Sequence, residues 1–258
     1  MKPTATPNIA KLFAAAVACL GLTAQAQLID DFSTVGLSEY TLTRVLDNGV
    51  AEANVSLSDA SGALIASYTG TVSQPEQLVF LRSDFSLGIG YKLLVDVLFP
   101  TQTAQMDFGI AVSATATPTG VSNPTPTDTR NTFDWAAVYV RPSQNAVRNT
   151  SSINGTVTTG SGVLAADETT VKQLFIERTS ATDFVLGYID TSNTVFTNRT
   201  ISFTANNVGT AVGFYADLRV VGESLGSLDN LQIVPEPSTF ALAGLGALAL
   251  AFRLRRRN

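Results

Sequence analysis

The sequence predicts an all-β protein built as an antiparallel β-sandwich, and three features of its pattern predict that architecture. Apolar and polar residues alternate over short stretches rich in β-branched and aromatic residues. Turn residues separate these stretches at intervals of about 8–14 residues. No window between the two ends keeps a helical period of 3.6 residues for three turns. Short strands at such spacing are typical of sandwiches and jelly rolls.

The individual strands follow from this alternation. Residues 91–99 predict a central strand with alternate apolar side chains facing inward. In residues 105–113 the side chains on one face are Met106, Phe108, Ile110 and Val112. Further candidate strands are residues 135–141, 170–178, 184–189, 201–204 and 211–215. Turns are predicted at Asp47-Asn48-Gly49, at Asn154-Gly155 and at residues 190–193.

The composition removes several classes of enzyme. The 258 residues include no histidine, which excludes Ser-His-Asp hydrolysis, Cys-His catalysis and His-ligated zinc or haem. The single cysteine, Cys19, lies in the apolar run near the N-terminus, so no internal disulfide or cysteine cluster can form. The rest of the chain must be held together by its core, and its length is sufficient for one.

The N-terminus has the pattern of a secretory signal peptide. Two lysines accompany an apolar run at residues 12–22, which at 1.5 Å per residue is too short for a hydrocarbon core of about 30 Å. Ala24 and Ala26 then provide a small-x-small cleavage site. We therefore assign residues 1–26 to the signal peptide and expect the mature chain to begin at Gln27.

A lipoprotein signal cut before Cys19 is the alternative at this end. Ala16-Val17-Ala18 supplies the small residues that such a signal requires before its cysteine. The leucine usual three places upstream of the cysteine is absent, however, because Ala16 stands there. Both interpretations predict export of the chain.

The C-terminus combines three segments in a fixed order. Pro235-Glu236-Pro237 comes first, and its prolines lack backbone donors and disfavour helix before them, so it predicts an extended spacer. The apolar run at residues 240–252 predicts a transmembrane helix at about residues 239–254. Its length of about 25 Å is marginal, but snorkelling arginines can close the gap. Four terminal arginines favour a cytoplasmic tail.

This order of motif, short helix and basic tail is shared with a simple tail anchor, but it closely resembles the PEP-CTERM sorting signal of Gram-negative bacteria. Pro235, Glu236 and Pro237 fill the motif in register, which assigns residues 234–258 to the signal. The resemblance implies recognition by an exosortase, a membrane-bound cysteine transpeptidase that removes the tail near the motif. It also implies transient anchoring in the inner membrane, then a place in the cell envelope or the extracellular polysaccharide matrix of a biofilm.

The body between the two ends, residues 28–233, is acidic. Six basic residues and one acidic residue lie in the terminal segments, which leaves 10 basic and 20 acidic residues and a net charge of about −10. Nucleic acid and anionic membrane surfaces require a basic footprint, so neither is an expected partner of the body. Residues 114–132 hold three prolines and form either a linker between two β domains or, as we predict, a long surface loop of one sandwich.

The order of short strings in the body resembles the concanavalin A-like lectin/glucanase fold, including laminin-G-type modules. The body opens with Ile-Asp-Asp-Phe-Ser at residues 29–33 and closes with Leu-Asp-Asn-Leu-Gln-Ile at residues 228–233. Between them, the apolar string at residues 174–179 is followed by another at residues 183–188. The resemblance implies a jelly roll in which an N-terminal strand pairs with the C-terminal strand. It supports architecture better than activity.

Nothing in the sequence argues for catalysis. Glycoside hydrolysis requires two carboxylates flanking the scissile bond. Retaining glucanases of the resembled fold carry Glu-x-Asp-x-x-Glu on one strand, and this string is absent from the chain. Glu177, beside Arg178, is more simply a solvated charge. We therefore expect a structural or carbohydrate-interacting module, with a polysaccharide-active enzyme that uses unpaired Asp and Glu residues as the alternative.

Calcium is the metal that this composition favours, because oxygen ligands are what the chain can offer. Asp30, Asp31 and Asp229 lie near the two ends of the body, which the resemblance would bring together. These residues are candidate ligands of a structural calcium ion. Alternatively, they cap strand ends by bonding to exposed backbone groups, which is the interpretation we favour.

Sugar binding by a β-sandwich usually employs exposed aromatic rings. Trp135 and Tyr139 are four residues apart on one predicted strand and therefore share a face. That face is either a shallow platform for extracellular polysaccharide or part of the core. For the only tryptophan of the chain we favour the core.

Overall fold

The computed structural model of the chain describes residues 26–33, 37–47, 55–59, 62–68, 76–98, 107–116, 127–128, 132–160, 170–218 and 224–236. It divides into two units, one of which is Gln27–Val234 and the other Met1–Ala26 with Pro235–Asn258. Ala24, Pro237 and the predicted transmembrane segment at residues 239–254 lie outside the described residues. Within the described ranges, no helix has the length and apolar character needed to cross a membrane.

The described part of the chain contains sixteen strands and a 3₁₀ turn at Pro142–Gln144. The strands in the first half are β1 Gln27–Asp30, β2 Thr41–Asp47, β3 Val55–Ser58, β4 Leu64–Tyr68, β5 Glu76–Arg82, β6 Tyr91–Leu98, β7 Asp107–Ser113 and β8 Thr127–Asp128. Those in the second half are β9 Trp135–Arg141, β10 Ala146–Ile153, β11 Thr156–Gly160, β12 Val171–Arg178, β13 Asp183–Asp190, β14 Val195–Ser202, β15 Ala211–Leu218 and β16 Ser224–Pro235.

These strands form two eight-stranded sheets. Sheet A has the order β14-β13-β12-β6-β16-β4-β3, with β1 paired on β16, and sheet B has the order β11-β10-β9-β7-β15-β5-β2-β8. The predicted antiparallel β-sandwich is therefore confirmed. The implied pairing of the two terminal strands is also present, with Gln27 opposite Ile233 and Leu28 opposite Gln232.

The main core lies between the two sheets and follows the alternation of the strands. On β7 the inward side chains are Phe108, Ile110 and Val112, as predicted, whereas Met106 lies outside the described residues. Apolar side chains from both sheets fill this layer, and most are less than a tenth exposed. Period-two patterning places one apolar side chain in the core at every second residue, which stabilises both sheets.

Two of the predicted turns are present in the described residues. Asn154 and Gly155 both have positive φ, 49° and 74°, and join β10 to β11 as a two-residue hairpin. Positive φ at both positions is what a type I′ turn requires, and Asn-Gly meets that requirement at low steric cost. Asn193 also has positive φ and closes the turn after β13. The predicted turn at residues 47–49 lies largely outside the described residues.

Residues 114–132 connect two neighbouring strands of the same sheet, since β7 and β9 are hydrogen-bonded partners. Part of this connection, β8, pairs with β2 at the far edge of sheet B. The strands β15, β5 and β2 separate β7 from that edge. Strand β8 therefore lies four strands from β7 in the order of sheet B.

Arg178, at the end of β12, connects three loops at one end of the sandwich. Its guanidinium donates to four backbone carbonyl oxygens, those of Leu87, Ser180, Ala181 and Asn206, at 2.8–3.2 Å. Carbonyl groups in loops lack hydrogen-bond partners from a neighbouring strand. A guanidinium is a cation with several N–H donors, so it can bond to several of these carbonyl groups at once. Arg178 thus has a structural role that its position beside Glu177 in the sequence does not reveal.

Replacing Arg178 with Met is expected to lower the free energy of unfolding by about 2 kcal/mol, because four charge-assisted hydrogen bonds are lost from a partly exposed site. Limited proteolysis should then cut first in the loops at residues 83–90, 179–182 and 204–210. Lys172→Met on the same strand is the matched control, since Lys172 is exposed and donates a hydrogen bond to the side chain of Asn193. Equal protease resistance of the two variants would contradict this role.

Candidate functional site

The face of sheet B that points away from sheet A, called the outer face below, is buried. The outer faces of sandwich sheets are ordinarily polar and solvated. Here Ala116, within the 114–132 connection, and Phe133, directly after it, pack against the outer face. The remaining members of this second cluster are Val45, Val79, Leu81, Ala111, Trp135, Ala137, Tyr139, Ala211 and Tyr215.

Aromatic rings form a continuous row on the outer face. Ring centroids are 6.2 Å apart for Phe133 and Trp135, 5.7 Å for Trp135 and Tyr215, and 5.0 Å for Tyr215 and Tyr139. In the register of the sheet, Gly109 lies between Tyr139 on one side and Tyr215 on the other. Because Gly109 carries no side chain, the two tyrosine rings meet above it.

The two predicted sugar-binding residues, Trp135 and Tyr139, belong to this row, but neither is exposed. Their relative exposures are 0 % and 1 %. A stacking platform requires an accessible ring face, so the structure favours the core interpretation over the platform. Burial, together with the carboxylate charges of Asp107 and Asp217, raises the pKa of Tyr139 well above its ordinary value. The phenol is therefore neutral at physiological pH.

A row of charged and polar side chains crosses four strands beside these rings. Asp107 on β7 lies opposite Asp217 on β15, and Asp217 lies opposite Gln77 on β5. Arg141 on β9 donates from Nε to Oδ1 of Asp107 at 2.7 Å, and its Nη2 lies 3.9 Å from Oδ2 of Asp217. Gln77 donates to the same Oδ2 at 3.1 Å. Both aspartates are buried, with exposures of 0 % and 1 %.

The sequence reasoning missed this row. Its signal was the presence of Asp107 directly before a fully apolar strand and of Asp217 directly after one. Charged residues at such positions are rarely buried unless they are paired. Which strands lie side by side decides the pairing, and strand order is not visible in the sequence.

Strand β10 adds polar atoms to the same face. Arg148 lies opposite Tyr139, and Ser152 lies opposite Trp135. The buried Nε of Arg148 and Oγ of Ser152 have no hydrogen-bond partner in the described part of the chain. Buried polar atoms are nearly always bonded, so exceptions mark places where a polar ligand or water can bind. The neighbouring strand β11 is largely exposed, which makes this side of the face the accessible one.

The three predicted calcium ligands bond to neighbouring groups of the protein. Asp30 accepts hydrogen bonds from the backbone of Phe32 at 2.8 Å and from the hydroxyl of Tyr40 at 3.2 Å, and Arg82 lies 4.0 Å away. Within the described ranges, no group of three or more His, Cys, Asp or Glu side chains could hold a metal ion. The calcium site at Asp30, Asp31 and Asp229 stays a prediction.

Asp31 and Asp229 instead bond to their own backbone neighbours. Asp31 accepts from the N–H of Ser33 at 3.0 Å, and Asp229 accepts from that of Asn230 at 2.7 Å. Hydrogen bonds from Ser33 hold the pKa of Asp31 below its usual value. Burial, with the nearby charges of Asp96 and Asp31, raises the pKa of Asp229. These contacts are the caps of exposed backbone that the alternative interpretation describes.

The residues predicted to be processed lie at the ends of the described body. Ala26 is exposed and directly precedes β1. Pro235 is the last residue of β16, Glu236 follows it half-buried, and Pro237 lies outside the described residues. Glu177, taken from the sequence as a solvated charge, lies 3.6 Å from Lys92 and is partly exposed.

Two antiparallel sheets with paired terminal strands define this protein as an antiparallel β-sandwich. The C-terminal segment has a second identifying feature: residues 234–257 match the PEP-CTERM protein-sorting motif. The motif identifies the chain as an exported protein that is sorted to the cell envelope, and it implies processing by an exosortase. The search of curated proteins found no match to this chain.

Solved structures similar to this chain are distant. A protein of unknown function from Shewanella oneidensis MR-1 is 15 % identical over 90 % of this chain and 95 % of its own, with a TM-score of 0.42. The carbohydrate-binding module CBM66 from Bacillus subtilis is 10 % identical over 77 % and 94 %, with a TM-score of 0.37. An endo-acting O-glycanase of the human gut microbiota is 12 % identical over 81 % and 99 %, with a TM-score of 0.45. Likenesses at this level carry no argument about the function of this chain.

Proposed function

We propose that the sandwich is a carbohydrate-interacting module of the cell envelope or extracellular matrix, and that its ligand binds the β10 side of the outer face of sheet B. The observation that carries the proposal is the pair of buried polar atoms without partners, Arg148 Nε and Ser152 Oγ, beside an aromatic row. A sugar offers hydroxyl groups to such atoms and apolar C–H faces to neighbouring apolar surface.

Charge and composition favour a glycan over other ligands of this face. The body carries a net charge of about −10, which opposes binding to nucleic acid or to an anionic lipid surface. The hydroxyl of Thr150 lies 3.4 Å from that of Thr159 on β11 and extends the polar strip toward the exposed edge. Hydroxyl and guanidinium groups in a strip along two strands are suited to an extended, hydroxyl-rich chain.

A polysaccharide-cleaving enzyme is the second candidate, and one observation favours it. Asp107 and Asp217 lie opposite each other on adjacent strands of the same face. Glycoside hydrolysis requires two carboxylates close to the scissile bond. In this structure both carboxylates lie near one guanidinium, that of Arg141, which favours a structural role for them.

The test is affinity electrophoresis of the mature body, Gln27–Val234, in gels that contain single polysaccharides, followed by a reducing-end assay. A binding module is retarded by at least one polysaccharide and releases no reducing ends. Arg148→Met is expected to weaken retardation about tenfold or more, since a charged hydrogen bond contributes about 1.5–3 kcal/mol. Lys172→Met, an exposed change of the same type on sheet A, should bind as the parent does.

Two outcomes would contradict the proposal. Absence of retardation by every polysaccharide would indicate a scaffold without a glycan ligand. Release of reducing ends that Asp107→Asn abolishes would indicate the enzyme. Circular dichroism of each variant would verify that the sandwich is intact.

A further inference from the structure

Arg148 supplies the positive charge of the proposed binding strip on β10, and the ion pairs among the described residues do not include it. Its Nε is buried without a hydrogen-bond partner in the described part of the chain, while the side chain as a whole is partly exposed. A guanidinium is charged at any physiological pH and carries five N–H donors. Because a partly buried charge without a partner costs free energy, this group is suited to a ligand that brings negative charge.

The register of sheet B surrounds Arg148 with neutral groups. Tyr139 lies opposite it on β9, and the same row continues through Gly109, Tyr215 and Val79. Burial raises the pKa of Tyr139, so its phenol carries no charge at physiological pH. The row therefore crosses five strands, from β10 to β5, without a carboxylate among its register partners.

The nearby buried carboxylates lie beside another arginine. Asp107 and Asp217 are two residues away from this row along β7 and β15, where Arg141 bonds to the first and lies 3.9 Å from the second. Gln77 donates a further hydrogen bond to Asp217. Strands β10 and β11 contain no Asp or Glu within their bounds. The strip thus presents a positive charge, although the body as a whole is acidic.

We propose that the glycan bound at this strip is an acidic polysaccharide, in which the carboxylate of one sugar pairs with Arg148 and hydroxyl groups of the chain bond to Ser152. The inference rests on the proposed function and names the class of its ligand. A guanidinium binds a carboxylate through two parallel N–H···O bonds, which a hydroxyl group cannot reproduce. Four residues along a strand span about 13 Å, so the ligand is a chain of several sugars.

The net charge of the body, about −10, sets how this binding depends on salt. It repels a polyanion at long range, and salt screens that repulsion. Pairing with one cation releases few counterions, so the affinity should fall by no more than about fourfold between about 50 and 200 mM salt. A loss of about a hundredfold or more over this range would indicate a broad basic footprint and contradict recognition by one arginine.

The experiment is affinity electrophoresis of the full chain, kept in a neutral detergent, in gels that contain an acidic polysaccharide or its methyl ester. Polygalacturonate, alginate and hyaluronate are the acidic probes, and dextran and xyloglucan are the neutral ones. Esterification removes the charge of the carboxyl groups and keeps the ring hydroxyls. The parent should bind at least one acidic polymer about tenfold or more tightly than the ester of that polymer.

Arg148→Gln removes the charge and keeps an N–H donor, so this variant should bind the acidic polymer and its ester equally. Lys172→Gln is the matched control, because it removes the same charge from an exposed position on sheet A and should keep the parental preference. Mobility in gels without polysaccharide corrects for the altered net charge. The comparison of acid with ester on the parent needs no variant, so it holds even if Arg148→Gln fails to fold.

The possible failures are distinguishable. Equal retardation of the parent by acid and ester, or retardation by neutral polymers alone, would overturn the acidic class and leave the carbohydrate-interacting module in place. A preference for the acid that persists in Arg148→Gln would overturn the role of Arg148. Absence of retardation by every polysaccharide, neutral or acidic, would contradict the proposed function itself.

Discussion

Replacing Arg141 with Met is expected to lower the free energy of unfolding by about 3–5 kcal/mol, because two buried carboxylates lose their cation. Asp107 and Asp217 are 0 % and 1 % exposed, and the Arg141 side chain is 11 % exposed. Removing one partner of a buried ion pair leaves the other charge without compensation in a medium of low dielectric constant. Urea denaturation of the mature body would measure the loss.

The control for this prediction removes the cation together with Asp107, the carboxylate that it contacts most closely. Asp107→Asn combined with Arg141→Met keeps the shape of the row and leaves Asp217 bonded to Gln77 at 3.1 Å. The double variant should regain at least half of the stability lost by Arg141→Met alone, since replacing both members of a buried pair is often nearly neutral. A double variant less stable than the single one would show that the row is held by something other than charge pairing.

Replacing Gly109 with Ala is expected to lower the free energy of unfolding by about 3 kcal/mol or more. An added Cβ would lie 2.0 Å from the carbonyl oxygen of Val138 and 2.8 Å from Cβ of Tyr139. The obstacle is backbone of a neighbouring central strand, so β7 and β9 would have to separate. The contact between the Tyr139 and Tyr215 rings above Gly109 would be lost together with the hydrogen bonds between β7 and β9. Thermal denaturation followed by near-ultraviolet circular dichroism would report both effects.

Gly160→Ala is the matched substitution for comparison. Gly160 lies on β11 at the edge of sheet B, and a Cβ there would meet the side-chain amide of Asn149 at 2.8 Å. A side chain at a sheet edge moves more readily than a central backbone, so this variant should lose less stability than Gly109→Ala. A larger loss for Gly160→Ala would contradict the close approach inferred at Gly109.

Much of the fold follows from local patterns. The strand at residues 105–113 was predicted from alternation, and its inward residues Phe108, Ile110 and Val112 form part of the core. The Asn154-Gly155 turn was predicted because few other residue pairs adopt positive φ twice in succession. Both features depend on residues close together in the sequence. Alternation of apolar and polar residues specifies the strand, and the residue pair Asn-Gly specifies the turn.

Two of the site predictions required information beyond local pattern. Asp30 ends β1 and lies near Arg82 and Tyr40, whereas Asp31 follows the strand and is exposed. The calcium site was predicted because the resemblance brings the two ends of the body together, and these contacts could not be read from the sequence. Burial of Trp135 depends on what covers the outer face, and alternation along β9 does not specify the cover.

The sequence by itself determined the C-terminal sorting motif, the all-β class and the positions of several turns, because each depends on residues close together in the chain. Only the tertiary structure decided that β7 lies between β9 and β15, which brings Asp107, Asp217 and Arg141 into one buried row, and that Gln27 lies beside Ile233. The physical reason is that strand order is set by contacts between residues more than a hundred positions apart, such as Asp107 and Asp217. Many strand orders are compatible with the same alternation of apolar and polar residues. The packing of side chains on both faces of each sheet selects one of these orders.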